Sequence, residues 1–439
     1  MFGFVTGRKP SPIHARLRLV GLDLTAARAR AVSVGSGKTR SLQLDATAEE
    51  LRLMVHLDRR PPEVGRAAVA TLRRTPHAVA VGFLPLIGQP RTWAAGRSTL
   101  TPESAMSLVF ERLRAPVVAE SDAAALVLPG YLNSLQVAKL VELAAKAKLP
   151  IRGTASAALA IAAHRARTIP SASSEEDEVP VGSPDRDGAP RGNSSLPTDS
   201  DWDGPDSNQN SRGASVVIVD ADDTALTASV VAMEPEDVRL VGFAAWPKLS
   251  LRVWMDRLID GMSDRCVRVC RRDPRDSADA EQAMFDQLSD ALDLSAHGHS
   301  VTLTVRSAHW YQDLTHRPTE FDAYCTTLAN TAADNIREVV WSAGLSVPPR
   351  VVWLTAAAAR LPGLGTAIYR SSPESTTVDA LPETAAAEAA ASLAVRWQAG
   401  SLPRMHLDVS IPMEPMRESP MDEPLPEVPY AERAPRAMP

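Results

Sequence analysis

Three aspartates that share one predicted turn are the first candidates for chemistry. Asp220, Asp222 and Asp223 follow an apolar run at residues 215–219, which predicts a strand, and residues 224–231 predict its hairpin partner. Clustered carboxylates are ligands that hard cations such as Mg²⁺ prefer. A solvated acidic hairpin turn has the same residues, and we favour that interpretation over a cation site.

A glycine-rich turn at residues 35–39 has part of the pattern of a phosphate-binding loop. Its sequence, Gly-Ser-Gly-Lys-Thr, fits the end of G-x-x-x-x-G-K-[ST], but Val32 stands where the first glycine is required. The turn also lies between two predicted strands, whereas a phosphate-binding loop joins a strand to a helix. We therefore predict an ordinary hairpin turn.

Length and composition narrow the class of protein. The 439 residues suffice for two or three domains, and a formal net charge of −6 without a basic tract argues against nucleic acid as a main ligand. Three cysteines do not make a disulfide framework, and Cys266 and Cys270 have no further ligand at metal-binding spacing, so we expect buried thiols. No apolar run approaches the roughly 18 residues of a membrane span, and a signal peptide is not indicated. These features favour a cytoplasmic protein without nucleic-acid or membrane partners.

Two segments differ in composition from the rest of the chain. Residues 171–213 are rich in Ser, Asp, Gly, Pro and Asn and poor in hydrophobic residues, so we predict a disordered acidic linker. From Ile411 the chain is Pro-rich and acidic, which favours extended conformations. This tail is either a peptide ligand for an aromatic groove of a partner or an inert end, and we favour the inert end.

The most regular stretch, residues 127–162, predicts a strand end, a helix, a short strand and a second helix. Pro129 and Gly130 stop the first strand, and Asn133 or Ser134 caps the helix that follows. Apolar residues then recur at helical spacing, and the second helix, at residues 155–163, is rich in alanine.

The same stretch resembles the nucleotide-binding domain of the seventy-kilodalton heat-shock chaperones, which belong to the actin-like ATPase superfamily. The family pattern V-x-P-x-Y-x-N-x-x-Q, followed by a helix of small residues, is matched by Val127, Pro129, Tyr131, Asn133, Gln136 and residues 157–160. The order of predicted elements agrees over residues 17–403, apart from the acidic insertion. The resemblance implies an α/β, two-lobed actin-like ATPase fold, in which each lobe has a five-stranded mixed sheet flanked by helices and ATP binds in the cleft.

The resemblance also implies domain boundaries. Residues 1–170 would form lobe I and residues 214–403 lobe II, with the disordered acidic linker at residues 171–213 between them. Residues 404–439 would form a disordered Pro-rich tail.

Seven positions correspond to the nucleotide contacts of the family. Asp23 and Thr25 match the first phosphate motif, Asp220, Asp222 and Asp223 match the second, and Ala356 and Arg360 match the adenosine motif. Asp23 and Asp220 keep the carboxylates of the family, and Arg360 keeps its arginine. Thr25, Asp222, Asp223 and Ala356 replace glycines, which the family uses because a Cβ blocks the close approach of backbone to phosphate or adenosine.

Two charged groups of the family are missing. Val69 takes the place of the catalytic lysine and Gly153 that of an acidic residue that helps to hold the magnesium-bound water. An isopropyl group cannot neutralise a γ-phosphate, and the two carboxylates at Asp222 and Asp223 repel one. We therefore assign no catalytic residue and no metal site, and we expect ATP and magnesium to bind weakly or not at all.

These substitutions lead to a preferred function and two alternatives. The preferred one is a chaperone-like pseudo-ATPase that acts through contacts with a protein partner. The first alternative is a weak ATP-hydrolysing chaperone, in which Asp23 and Asp220 bind the magnesium-water network. The second keeps only the α/β fold and makes the chain an unrelated structural protein.

Overall fold

Strands and helices alternate along the part of the chain that the computed structural model describes, residues 18–35, 38–166, 214–402 and 405–413. The helices are α1 (Arg66–Val69), α2 (Pro102–Glu120), α3 (Ser134–Lys146), α4 (Ala157–Arg165), α5 (Leu251–Cys270), α6 (Ala278–Ala296), α7 (Pro318–Ser342), α8 (Ala356–Ala359), α9 (Leu364–Ser371) and α10 (Ala385–Gln398). The strands are β1 (Leu19–Leu24), β2 (Arg28–Gly35), β3 (Lys38–Ser41), β4 (Glu50–Arg52), β5 (Met54–His56), β6 (Glu63–Val64), β7 (Val79–Val81), β8 (Trp93–Ala95), β9 (Ser98–Leu100), β10 (Ala123–Leu128), β11 (Ile151–Ser156), β12 (Ala214–Ala221), β13 (Leu226–Met233), β14 (Asp237–Trp246), β15 (Val301–Ser307), β16 (Trp310–His316), β17 (Val351–Leu354), β18 (Thr377–Ala380), β19 (His406–Leu407) and β20 (Ser410–Pro412).

The two largest sheets have the same mixed arrangement. Sheet 1 has the order β19-β11-β10-β1-β2-β3, with β1 antiparallel to β2 and parallel to β10. Sheet 2 has the order β18-β17-β12-β13-β14-β20, with β12 antiparallel to β13 and parallel to β17. The prediction of an α/β fold with mixed sheets flanked by helices is confirmed, but sheet 1 has seven strands, because β4 also pairs with β2, and sheet 2 has six, instead of the five expected for each lobe. We call residues 18–166 lobe I and residues 214–380 lobe II.

The sheets and helices form layers around the three largest of the four hydrophobic cores in the described residues. Leu22 of β1 packs with Phe110 of α2 on the outer face of sheet 1, and Val219 of β12 packs with Trp254 of α5 on the outer face of sheet 2. The third core lies between the sheets and contains α4 and α10, so both lobes share it.

Small side chains allow α10 to lie directly on sheet 1. A Cβ at Gly21 of β1 would stand 2.0 Å from the Ala387 carbonyl oxygen and 2.2 Å from the Ala391 nitrogen, so only glycine fits. The run of alanines in α10 matches this close approach, since a larger side chain would hold the helix away from the strand. Although α10 was predicted as part of lobe II, it therefore packs on the sheet of lobe I.

Local signals locate several elements correctly. Asn133 caps α3, and it forms a capping box because the Gln136 side chain accepts from the Asn133 backbone N–H. Gly35 pairs with Lys38 across β2 and β3, so the glycine-rich turn joins a hairpin as predicted. Strand β3 begins at Lys38, within this turn, and ends at Ser41.

The end of the described chain differs from the prediction. Residues 404–439 were predicted to be disordered, but β19 pairs with β11 of sheet 1 and β20 pairs with β14 of sheet 2. Burial of Ile411 between the lobes explains this difference, because the side chain is fully buried in the shared core. The predictions for residues 171–213 and 414–439 lie outside the described residues. No helix within the described ranges has the length and apolar character that crossing a membrane requires.

Candidate functional site

The two hairpin turns that carry the candidate aspartates meet between the lobes. One turn joins β1 to β2 in lobe I, and the other joins β12 to β13 in lobe II. The Ala26 backbone N–H of the first turn donates to Asp222 Oδ2 of the second at 3.0 Å. The sheets thus bring the two predicted phosphate motifs into direct contact.

Asp222 is the centre of this contact. Its Oδ1 accepts the backbone N–H groups of Thr224 and Ala225 at 2.8 and 3.0 Å, and its Oδ2 accepts the Tyr131 hydroxyl as well as Ala26. Asp222 is 3% exposed, which corrects the favoured interpretation of an acidic turn open to solvent. Two local amides and two donors from the opposite lobe explain the burial, since they replace water around the carboxylate.

The surroundings of Asp222 and Tyr131 raise the pKa values of both side chains. Burial raises the pKa of Asp222 to about 6, the hydrogen bond from Tyr131 opposes the shift, and Asp220 adds to it. Burial and the neighbouring Asp222 raise the pKa of Tyr131 well above its usual range. Tyr131 therefore stays protonated at neutral pH and donates a hydrogen bond to Asp222.

Asp23 and Asp220 line a small cavity beside this contact. Arg28 Nη1 lies 4.0 Å from Asp23 Oδ2, and the Thr355 hydroxyl donates to Asp220 Oδ1 at 2.6 Å. Burial raises the pKa of Asp23 to about 6, although Arg28 acts in the opposite direction. The cavity has about 30 Å³, which is room for a few water molecules, whereas sites for small organic ligands have roughly 300–1,000 Å³.

Only some of the other predicted nucleotide contacts lie at this cavity. Ala356, at the start of α8, lines the cavity. The Thr25 hydroxyl accepts the Arg28 backbone N–H at 3.2 Å and so stabilises its own turn. Burial raises the pKa of Asp223, and Arg52 is its first opposing charge. Arg360 does not line the cavity: its guanidinium pairs with Asp293 of α6 at 3.2 Å, and its charge, like that of Arg52, opposes the rise in the pKa of Asp223.

The two positions that lost charged groups have structural roles. A Cβ at Gly153 would stand 2.3 Å from the Trp397 ring, so α10 leaves no space for a side chain there. The Val69 carbonyl oxygen accepts the Gln282 side-chain amide of α6 at 3.0 Å. Within the described ranges, no group of three or more His, Cys, Asp or Glu residues is placed to hold a metal ion.

Sequence reasoning missed a second contact between the lobes, around Arg73. Its backbone N–H donates to Gln282 Oε1 at 2.7 Å, and its guanidinium pairs with Asp256 and, at 3.2 Å, with Glu281. The same guanidinium lies 4.8 Å from the centre of the Phe285 ring. We call these residues the Arg73 clamp. The residues around Arg73 give no sequence signal for such a contact, because its partners lie on α5 and α6 of the other lobe.

A third connection runs through residues 405–413, which we call the strap. The Thr154 backbone N–H donates to the Met405 carbonyl oxygen at 2.8 Å in sheet 1. The Leu240 backbone N–H donates to the Val409 carbonyl oxygen at 2.8 Å in sheet 2. The strap thus hydrogen-bonds to both sheets within a few residues.

Comparisons with known proteins do not assign the chain to a family. No protein-family model matches the sequence, and no curated protein matches it significantly.

Proposed function

We propose that this protein is a chaperone-like pseudo-ATPase of actin-like fold whose lobes are held closed by its own side chains and which acts by binding another protein. The single observation that carries the proposal is the Asp222 carboxylate, which accepts backbone amides from both hairpin turns and the Tyr131 hydroxyl. Under the resemblance, these turns are the phosphate motifs. Asp222 therefore supplies the anion that a phosphate would otherwise supply.

A nucleotide would have to displace this internal anion. Each hydrogen bond that Asp222 gives up costs about 0.5–1.5 kcal/mol, so the loss of four weakens phosphate binding by roughly two to four orders of magnitude. If Asp222 stayed in place, its charge would repel the phosphate at close range. The residues present therefore do not fit a triphosphate, and we derive no hydrolytic step.

Calorimetric titration with magnesium-ATP tests the proposal. We expect no heat of binding and no shift in melting temperature at millimolar ligand, because a ligand that binds the native state stabilises it by mass action. A micromolar dissociation constant would refute the pseudo-ATPase. A variant provides a second test of the proposal. Asp222→Gly removes the carboxylate that takes the place of a phosphate, so this variant should gain measurable affinity for ATP, whereas the neighbouring Asp223→Gly should not.

One observation favours the second candidate, a weak ATP-hydrolysing chaperone. Asp23, Asp220 and Arg28 still face the same cavity. This function predicts phosphate release from ATP that disappears in Asp23→Ala and persists in Asp223→Ala. Release no faster than without protein excludes it. The two lobes and the cavity between them favour either candidate over an unrelated structural protein, and the three free thiols agree with a cytoplasmic location.

A further inference from the structure

The open edges of the two main sheets differ in how they are protected. Strand β3, at one edge of sheet 1, carries Lys38 and Arg40, and β18, at one edge of sheet 2, carries Asp379. Charged residues on edge strands prevent unwanted pairing with other chains. Residues 240–246 of β14, with the sequence LVGFAAW, have no charged residue and no proline. Beyond the bulge at Val241, residues 242–246 lack this protection.

Most of the β14 edge is also uncovered by the described chain. Strand β20 pairs only with residues 237–239, and one further bond joins the Leu240 N–H to Val409. Alternate residues of an antiparallel strand direct N–H and C=O away from their partner, so residues 241–246 present backbone donors and acceptors on this side. An extended segment placed here would continue the ladder that β20 begins.

A groove follows this edge between β14 and α7. It has about 400 Å³, with Gly242, Ala244 and Trp246 on the strand side and Glu338, Val339 and Ala343 among the residues on the helix side. A Cβ at Gly242 would lie 3.2 Å from the Ala343 Cβ, so Gly242 faces α7, and Ala244 and Trp246 line the same groove. The bulge at Val241 interrupts the alternation, and Val238 and Leu240 before it pack on the shared core. Since side chains of a strand alternate, every second residue of an added strand would enter the groove.

The groove selects for charge as well as shape. Glu338 is its one charged lining residue and, within the described ranges, has no ion-pair partner. The remaining walls are mainly small or apolar. The complementary segment therefore has apolar side chains at alternate positions and a lysine or arginine at the position that faces Glu338.

We propose that the β14 edge and the α7 groove bind an extended segment of a protein partner by strand addition, with alternate apolar side chains in the groove and one cationic side chain at Glu338. This inference deepens the proposed function and rests on it, because it names the surface and the chemistry of the partner contact. The β14 edge and the α7 groove lie outside the cleft. The strand-addition proposal and the pseudo-ATPase proposal can therefore be refuted separately.

Fluorescent peptides and the full-length protein provide the test. The probes are blocked peptides of about ten residues, the upper length of ordinary strands, that alternate valine and threonine with lysine replacing one valine at successive positions. Control peptides carry glutamate instead of lysine, or N-methyl groups on one backbone edge. Anisotropy measures affinity, and hydrogen exchange measures protection of residues 240–246.

We expect the best lysine peptide to bind about fivefold more tightly than its glutamate counterpart, and N-methylation to weaken binding about tenfold or more. Glu338→Lys should invert the charge preference, and Glu111→Lys, an equal charge change at an exposed site on α2, should leave it unchanged. Equal binding of the N-methylated peptide, unchanged preference in Glu338→Lys, or no protection of residues 240–246 would overturn the proposal. So would a dimer that protects these residues without peptide. Micromolar ATP binding would instead refute only the pseudo-ATPase.

Discussion

The Asp222 carboxylate joins the lobes through bonds that a smaller side chain cannot replace. Asp222→Ala leaves the buried N–H groups of Ala26, Thr224 and Ala225 without their acceptor. Each unsatisfied buried group costs about 1–3 kcal/mol, so we expect a total loss of about 3–5 kcal/mol in the free energy of unfolding after partial relaxation. Urea denaturation measures the loss.

Two further variants test whether this loss of stability comes from the hydrogen bonds of the Asp222 carboxylate. Tyr131→Phe removes one of the four donors and should cost about 1 kcal/mol. Asp223→Ala changes the adjacent carboxylate, which accepts none of these bonds, and should have a smaller effect than Asp222→Ala. Equal losses at positions 222 and 223 would show that the carboxylate of Asp222 does not bridge the lobes.

Asp23 makes stability depend on pH in an unusual direction for an aspartate. Its pKa is about 6 in the fold against an ordinary value of 3.8, so the folded state binds its proton more tightly than the unfolded state does. The resulting stabilisation is complete below pH 4 and is lost as the pH rises through 6, and it amounts to up to about 3 kcal/mol.

Asp23→Asn isolates this contribution from that of other groups. The variant should be more stable than the parent at pH 8, and the difference should shrink towards pH 4.5, where the parent aspartate is protonated. Urea denaturation of both proteins across this range measures it. A difference that does not change with pH would contradict the raised pKa.

Among the secondary-structure elements, the strap was predicted as part of a disordered tail, but it pairs with both main sheets. Ile411 is fully buried between the lobes, whereas Val409, two residues earlier, is 59% exposed. Because Ile→Ala in a core typically costs about 2–5 kcal/mol, Ile411→Ala should destabilise the protein by that amount. Val409→Ala is the matched control and should cost less than about 0.5 kcal/mol. Similar small losses at both positions would mean that the strap does not pack.

The sequence predicts those elements that are formed by interactions between residues close together in the chain. The α3 capping box and the alternation of β12 are local, so Asn133, Gln136 and the apolar run of β12 reveal them. The strap has one proline and five apolar residues among its nine, at alternate positions that are typical of a strand, and both sheets offer it partners. The prediction of a disordered tail from residue 404 followed the Pro-rich, acidic residues after Ile411, so composition taken over the whole range gives the wrong answer for the strap.

The candidate site could also be predicted only in part, because it depends on residues far apart in the chain. Asp23, Asp220 and Asp222 stand out in the sequence through a family resemblance, and the structure brings them together. The burial of Asp222 depends on Ala26 and Tyr131 of the other lobe, which are respectively 196 and 91 residues away in the chain. No local pattern indicates that a carboxylate in an acidic turn will be enclosed by donors from a distant segment.

At the scale of the whole molecule, the Arg73 clamp is a second connection between the lobes. Arg73→Ala removes two ion pairs and the contact with Phe285, and the loss should be about 1–3 kcal/mol. Arg74→Ala is the matched control, because the Arg74 pair with Asp279 is more exposed and should contribute about 0–1 kcal/mol. Hydrogen exchange should rise in α1 and in the first turns of α6 only for Arg73→Ala.

The clamp and Asp222 should be coupled if the lobes close as rigid bodies. Each contact holds the same two lobes together, so a lobe that opens after one contact is lost no longer benefits fully from the other. The double variant Arg73→Ala/Asp222→Ala should then lose less stability than the sum of the single variants, by about 1 kcal/mol or more. It should also have a larger radius of gyration by small-angle scattering than either single variant. Losses that add to within about 0.5 kcal/mol, together with an unchanged radius, would mean that the two contacts act locally and that the shared core around α4 and α10 keeps the lobes closed without them.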